Sequence, residues 1–266
     1  MKGLKKIALV TAIAAAPFAA QAELTALDDV SMGNMTGQAG VTIELETLVT
    51  IGEFKYTDEG SLSVKNITLG GAAAAGLAGF DLDGDGTPEA FTNKLDNLKA
   101  DIDINAAGDA VVSVGTTNGL PIDFGLTMGS VDLVSQDGLT TSTLISNVAV
   151  AGLLFQLDIT VQNQAVPTLN VVTEFTVLNL NADVDFLAAG IAGMSITGNG
   201  SHGGAILDID LYKGTNAAGA DALVVDLGTV EMDINIASVS LGGVSIGSVA
   251  MNDVALTGTV LKVYGH

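Results

Sequence analysis

The stretch Val230-Glu231-Met232-Asp233-Ile234-Asn235-Ile236 decides the fold class. Every second residue is a large apolar one, and acids or an amide fill the gaps. A period of two puts one set of side chains on each face of an extended strand, so this is a strand with one apolar face. The same pattern recurs elsewhere. Leu98, Ala100, Ile102 and Ile104 alternate with Lys99, Asp101 and Asp103, and Leu207, Ile209 and Leu211 with Asp208 and Asp210. After Gly40, Val41, Ile43, Leu45, Val49 and Ile51 oppose Glu44 and Glu46; Phe54 and Tyr56 continue with shifted parity after Gly52, as a bulge allows. The chain therefore reads as all-β, with carboxylates on the outer face of its strands.

A shorter kind of segment is also present: Ile67-Thr68-Leu69-Gly70-Gly71, Val148 to Gly152 and Met194 to Gly198. Over residues 239–261 it becomes a pentapeptide-like repeat. Val239/Leu241, Val244/Ile246, Val249/Met251 and Val254/Leu256 recur every five residues, with a last imperfect copy at Thr259 and Leu261. Aliphatic pairs followed by small or polar corners suit one side of a β-solenoid. They equally suit tight hairpins or bulged strands in an antiparallel sheet. The expected fold is an elongated β-solenoid-like or antiparallel β-sheet domain over residues 41–266, following a short N-terminal helix or arm; a β-sandwich is the alternative.

Residues 1–22 read as an export signal. Lys2, Lys5 and Lys6 precede an apolar run from Ile7 to Ala20, and Ala20-Gln21-Ala22 supplies a cleavage site. That run is shorter than the roughly 20 residues a membrane helix needs, and Pro17 interrupts it. The expected mature chain has no transmembrane span and works at the cell surface or outside the cell, with periplasm or outer membrane as further possibilities. Residues 23–40 form an arm in which Leu27, Val30, Met32 and Met35 are spaced for a short helix.

Composition narrows the function classes. Nine basic residues stand against 30 acidic ones, for a net charge of -21, and all nine are lysines. Such a chain has little with which to neutralise phosphates, so nucleic acid is not an expected partner. Cysteine and tryptophan are absent. An outer-membrane barrel would need aromatic girdles that three tyrosines cannot supply.

One motif carries chemistry. Asp81-Leu82-Asp83-Gly84-Asp85-Gly86-Thr87-Pro88-Glu89 is a D-x-D-x-D-G-x-x-E loop. Calcium takes six to eight hard oxygens, and alternate side chains of a tight turn converge on one point. The expected ligands of a structural Ca²⁺ are Asp81, Asp83, Asp85, the carbonyl of Thr87, and Glu89. The glutamate that closes an EF-hand loop is missing, with Thr92 in its place. Catalysis is not expected. His202 and His266 are the only histidines, the run Gly198 to Gly204 around His202 lacks a G-x-S-x-G elbow, and zinc finds no thiolate.

Leu27-Asp28-Asp29 followed by Thr36-Gly37-Gln38-Ala39-Gly40-Val41-Thr42-Ile43 resembles the opening of the FilA-like pilus-system proteins of Gram-negative bacteria. The resemblance implies export and a surface role, with self-assembly or other pilus-system and surface proteins as partners; it carries no catalytic residues. The expected function is a pilus- or filament-associated or adhesive structural component. The alternative is a ligand-binding β-module for a polysaccharide or apolar ligand, which a patch gathering Phe155, Phe175 and Phe186 would favour.

Overall fold

The computed structural model describes residues 40–82 and 85–265. The export signal at 1–22 and the arm at 23–40, apart from Gly40, lie outside the described residues. Twelve strands form one antiparallel sheet, and two more form a small ladder of their own. The order becomes simple when strands lying end to end are taken as rows.

The first row is β1 (Val41–Thr47) and β2 (Val49–Thr57), separated only by Leu48. The second is β3 (Ser61–Gly70), then β6 (Leu95–Ile104) after an insertion that holds β4 (Gly79–Phe80) and β5 (Glu89–Ala90). The third is β7 (Ala110–Thr116) and β8 (Ile122–Val134), the fourth β9 (Thr141–Gln162) and the fifth β10 (Thr168–Val184). The sixth is β11 (Ala189–Thr197) and β12 (Ala205–Thr215), the seventh β13 (Asp221–Leu241) and the eighth β14 (Val244–Val263). Each row pairs with the row before and after it, always antiparallel. The chain is thus an up-and-down meander of long strands, the pattern short hairpin turns permit.

Turn chemistry sets the reversals. Asn105-Ala106-Ala107-Gly108 and Asn216-Ala217-Ala218-Gly219 are the same turn used twice. In each, the asparagine Oδ1 accepts two backbone N–H groups, from Ala107 and Asp109 or from Ala218 and Ala220. Glycine then takes the left-handed position, with φ of 85° and 82°.

Register confirms the two-faced strands. Ile102, Val112, Ile159, Val171, Ile209 and Leu227 are successive partners across six rows. One residue along, Asp101, Ser113, Asp158, Val172, Asp208 and Thr229 form the neighbouring rung. Directly paired residues share a face, so the carboxylates gather opposite the aliphatics.

The solenoid reading of residues 239–261 is corrected. Val244–Val263 is one strand paired antiparallel along β13, with no coil of parallel turns. Its five-residue step has a local cause. Gly247, Asp253 and Gly258, with φ of 135°, 55° and 66°, stand where the aliphatic alternation skips. A left-handed residue interrupts the extended geometry on which the period of two depends. A solenoid corner and an interruption within a strand are therefore written alike. Only Gly242-Gly243 reverses the chain, between β13 and β14.

The parity shift after Gly52 has a related origin. β2 and β3 keep one register from Val49 to Thr57, so no residue is inserted. Gly52 instead falls opposite Asn66, which has φ of 52°. Gly129 and Asn147, the latter with φ of 53°, continue that line across the third and fourth rows. The aliphatic set changes parity at this line in all four rows, as in Ile67 to Val64 and Met128 to Val131.

Several of the best-buried apolar residues lie at mid-row, while Ala222 and Val224 are buried near the start of β13. Ala72, Ile122, Ala151, Leu153, Val177 and Ala205 are all below 7% exposed. This is where the insertion after β3 and the loop between β11 and β12 meet the sheet.

Candidate functional site

The aspartate loop hangs from the β4–β5 ladder, in which Phe80 pairs with Glu89 and Gly79 with Ala90. Its described carboxylates fold it inward. Asp81 Oδ2 accepts the Gly86 N–H at 2.9 Å, Asp85 Oδ1 the Thr87 N–H at 2.7 Å, and Glu89 Oε2 the Leu82 N–H at 2.6 Å. Three of the expected calcium ligands thus belong to one short closed loop. Asp83, the central expected ligand, lies outside the described residues, as does Gly84. Among the described residues, no three His, Asp or Glu side chains are gathered as a metal would require. The hard-oxygen donors fit calcium in kind, and the ion remains a proposal.

The insertion reaches the sheet through a 3-10 turn at Ala72–Ala75. Asp123 at the start of β8 accepts the Ala72 N–H at 2.7 Å. Burial pushes its carboxyl above the ordinary aspartate value, against the pull of that N–H. Contact is close enough that a Cβ on Gly125 would stand 2.3 Å from the Gly71 carbonyl oxygen.

A second cluster was not legible as one in the sequence. Glu174 on β10 is 5% exposed and gathers the loop between β11 and β12. Its Oε1 accepts the His202 N–H at 2.7 Å and the Gly204 N–H at 3.3 Å. Its Oε2 accepts the Ser201 hydroxyl at 2.9 Å and lies 3.1 Å from His202 Nδ1. Burial raises the Glu174 carboxyl, but these donors outweigh it and hold the group below the ordinary glutamate value. The His202 ring stacks on Phe155, with centroids 5.1 Å apart and planes within 4°. Phe155 is itself skipped in the register between β9 and β10.

Serine, histidine and glutamate thus meet, yet not as a triad. Ser201 Oγ lies 3.1 Å from His202 Nδ1, the same nitrogen that faces Glu174. A relay needs the two ring nitrogens on different partners. The geometry is that of a clamp. The glycine-rich run Gly198 to Gly204 is pinned at Ser201, His202 and Gly204.

The aromatic patch that would mark a ligand-binding module does not assemble from the residues expected. Phe175 lies next to the skipped Phe155 at mid-row, whereas Phe186 is 65% exposed in the turn after β10. An open hollow of about 310 Å³ at the first edge is lined by Glu44, Glu46, Asp96 and Asn97, among others. Two of its three acids are engaged: Glu46 with Lys94 at 3.1 Å, and Asp96 with the Thr92 hydroxyl and the Asn97 amide.

The two lateral edges are the remaining feature. Among the described residues, β1 and β2 pair only on one side, and so does β14. Both edges carry exposed apolar residues, including Val41, Ile43, Ile51, Phe54, Val244, Ile246, Val249 and Leu261. Among the described residues, no helix is long and apolar enough to cross a membrane.

Comparison with known proteins places the N-terminal part only. Residues 1–106 match a family of unknown function, DUF6160, which takes in the first two rows and the aspartate loop. No curated protein and no solved structure matches the chain.

Proposed function

We propose that the protein is an exported cell-surface structural component, pilus- or filament-associated or adhesive, whose aspartate loop is stiffened by calcium. The observation that carries this reading is the meander with both long edges unpaired among the described residues. Unpaired N–H and C=O groups along an apolar strand are a template for strand addition, and proteins that must stay apart blunt such edges. Here Lys55 and Lys262 are the only lysines of the two edge rows, beside Glu44, Glu46, Glu53 and Asp253.

Three further points support the reading. The signal-like residues 1–22 suit export, the run from Leu27 to Ile43 resembles FilA-like proteins, and the Glu174 cluster is arranged to hold a loop. A non-enzymatic role accords with these.

The test is immunogold electron microscopy of intact cells, with antibody to residues 41–266. Gold on the outer surface or along fibres is the expected result. Gold confined to the periplasm in sections would overturn the reading.

A further inference from the structure

We infer that copies of this chain join edge to edge, with β14 of one copy pairing antiparallel to the β1–β2 row of the next. This rests on the structural reading above and names its partner: a second copy of the chain.

Strand direction is the first point of fit. The rows alternate, and their number is even, so the first and last run opposite ways. Simple repetition of the molecule then sets β14 antiparallel to the following β1–β2 row, continuing the meander without a break.

The second is register. The apolar residues of the first row step by three between Ile51 and Phe54, and those of β14 step by three between Ile246 and Val249. Antiparallel pairing of Ile51 with Val249 superimposes the two steps. Phe54 then meets Ile246, Tyr56 meets Val244, and Val49 meets Met251. Past Leu48 a one-residue offset sets Leu45 against Leu256 and Val41 against Val260. The sheet already makes such offsets at this level: between Leu45 and Thr47 against β6, and between Met232 and Ile234 against β14. The line of interruptions at Gly52, Asn66, Gly129 and Asn147 would meet the neighbour at Ser248, next to Gly247.

The third is charge. Like charges directly opposite each other on neighbouring strands are destabilising. In this register Glu53 faces Gly247, Glu46 faces Ala255, Glu44 faces Thr257, and Asp253 falls at the offset beside Leu48, so no acid opposes an acid. In a chain of net charge -21 that is a demanding condition.

A two-fold pairing of β14 with itself also matches aliphatics, with Val249 against Met251 and Ala250 against its own copy. It joins only residues 244–256, however, and leaves 257–263 overhanging on each copy. The heterologous pairing uses nearly the whole of both edges, and being heterologous it leaves a dimer with one free edge of each kind, so that addition can repeat.

The chain has no cysteine, so engineered thiols report cleanly. Thr50→Cys and Ala250→Cys would be made separately in the full-length chain, purified, mixed and oxidised. Directly opposed residues stand about 4.5–5.5 Å apart at Cβ, close to disulfide reach. The expected result is a covalent dimer in the mixture and not in either variant alone, and a ladder of covalent oligomers from the double variant. Lys55→Cys with Ser245→Cys is the second pair and should behave alike. Dimers of Ala250→Cys alone would overturn the inference in favour of two-fold pairing, and monomers from both pairs would overturn it outright. A ladder from a protein that immunogold confines to the periplasm would instead break the surface reading and leave the pairing standing.

Discussion

Four rows of the sheet are interrupted at mid-length, and the two longest interruptions are held in different ways. The insertion between β3 and β6 docks chiefly by backbone, beside the single bond from the Ala72 N–H to Asp123: Gly70 and Gly71 lie against Thr92, Asn93 and Lys94, and Gly125 lies against Gly71. Only its outer part, the aspartate loop, rests on the two-residue ladder of β4 and β5. The loop between β11 and β12 is shorter and is held by one buried carboxylate. Close packing without side chains tolerates no enlargement, whereas a charge clamp tolerates enlargement but depends on pH. The comparison separates steric from electrostatic attachment within one sheet.

The largest effect should follow from Gly125→Val. Its Cβ would fall 2.3 Å from the Gly71 carbonyl oxygen and 3.2 Å from the Ala75 Cβ. Backbone cannot yield as a side-chain tip can, so the insertion must undock or β8 must shift. The expected loss is about 3 kcal/mol, read as a lower urea midpoint by circular dichroism. An unchanged midpoint would show that the docked turn contributes nothing.

Next comes Glu174→Ala, which removes the acceptor for two backbone N–H groups, a hydroxyl and an imidazole nitrogen at once. Hydrogen bonds to a charged acceptor contribute roughly 1.5–3 kcal/mol net, and orphaned donors add a penalty. A loss of about 2–3 kcal/mol is expected, with the Gly200–Gly204 amides losing protection from hydrogen exchange. The pH dependence has a definite sign. The folded carboxyl lies below its ordinary value near 4.5. Its contribution is therefore full above about pH 4.5 and is lost as pH falls through the lower, folded value. Loop amides of the native protein should exchange faster below that point, and those of Glu174→Ala already at pH 7. Asp132 is also held below the ordinary aspartate value, by Lys65 first and then by Thr143 and Ser130. Acid loosening of the loop should therefore be compared with that of the Asp132 region. Protection of the 200–204 amides that survives in Glu174→Ala would remove the clamp.

These two attachments also mark how far the sequence could be read. Strand faces were legible because alternation at residues 98–104, 207–211 and 230–236 is a direct image of side-chain direction. The order of rows was less so. Aliphatic pairs with small corners at 239–261 are written the same way whether the chain turns at Gly247 and Gly258 or runs straight through them. Only hydrogen bonding to β13 distinguishes the two. Glu174 was illegible for another reason. It shares its face with Asn170 and with Asp158, Asp208 and Asp210 in the paired rows, a face that reads as solvent-exposed. What buries it is a loop 24 to 30 residues further on. The aspartate loop was legible as a loop, since the spacing of Asp81, Asp85 and Glu89 states its own closure. Its ladder was not, because two-residue strands carry no period.

The smallest effect expected on global stability is that of calcium, and its size follows from the same comparison. Saturating ligand at about 100 times Kd stabilises a folded state by at most about 2.7 kcal/mol. The loop is joined to the docked insertion through β4 and β5 alone, so most of that free energy orders residues 79–90 locally. If about 1 kcal/mol reaches the global transition, Tm rises by about 2–4 °C for a chain of this size. Asp83→Ala should abolish the rise while leaving the Gly125 contact and the Glu174 clamp unchanged. A flat calcium titration of the native protein would end the metal reading. A rise that persists in Asp83→Ala would move it elsewhere, to the acid face where Asp210 and Asp226 stand directly opposite each other on β12 and β13. Such a shift would tie calcium to the sheet and not to its insertion. It would also predict that Asp226→Asn, which lowers the repulsion between these paired acids, mimics part of the calcium effect in metal-free buffer.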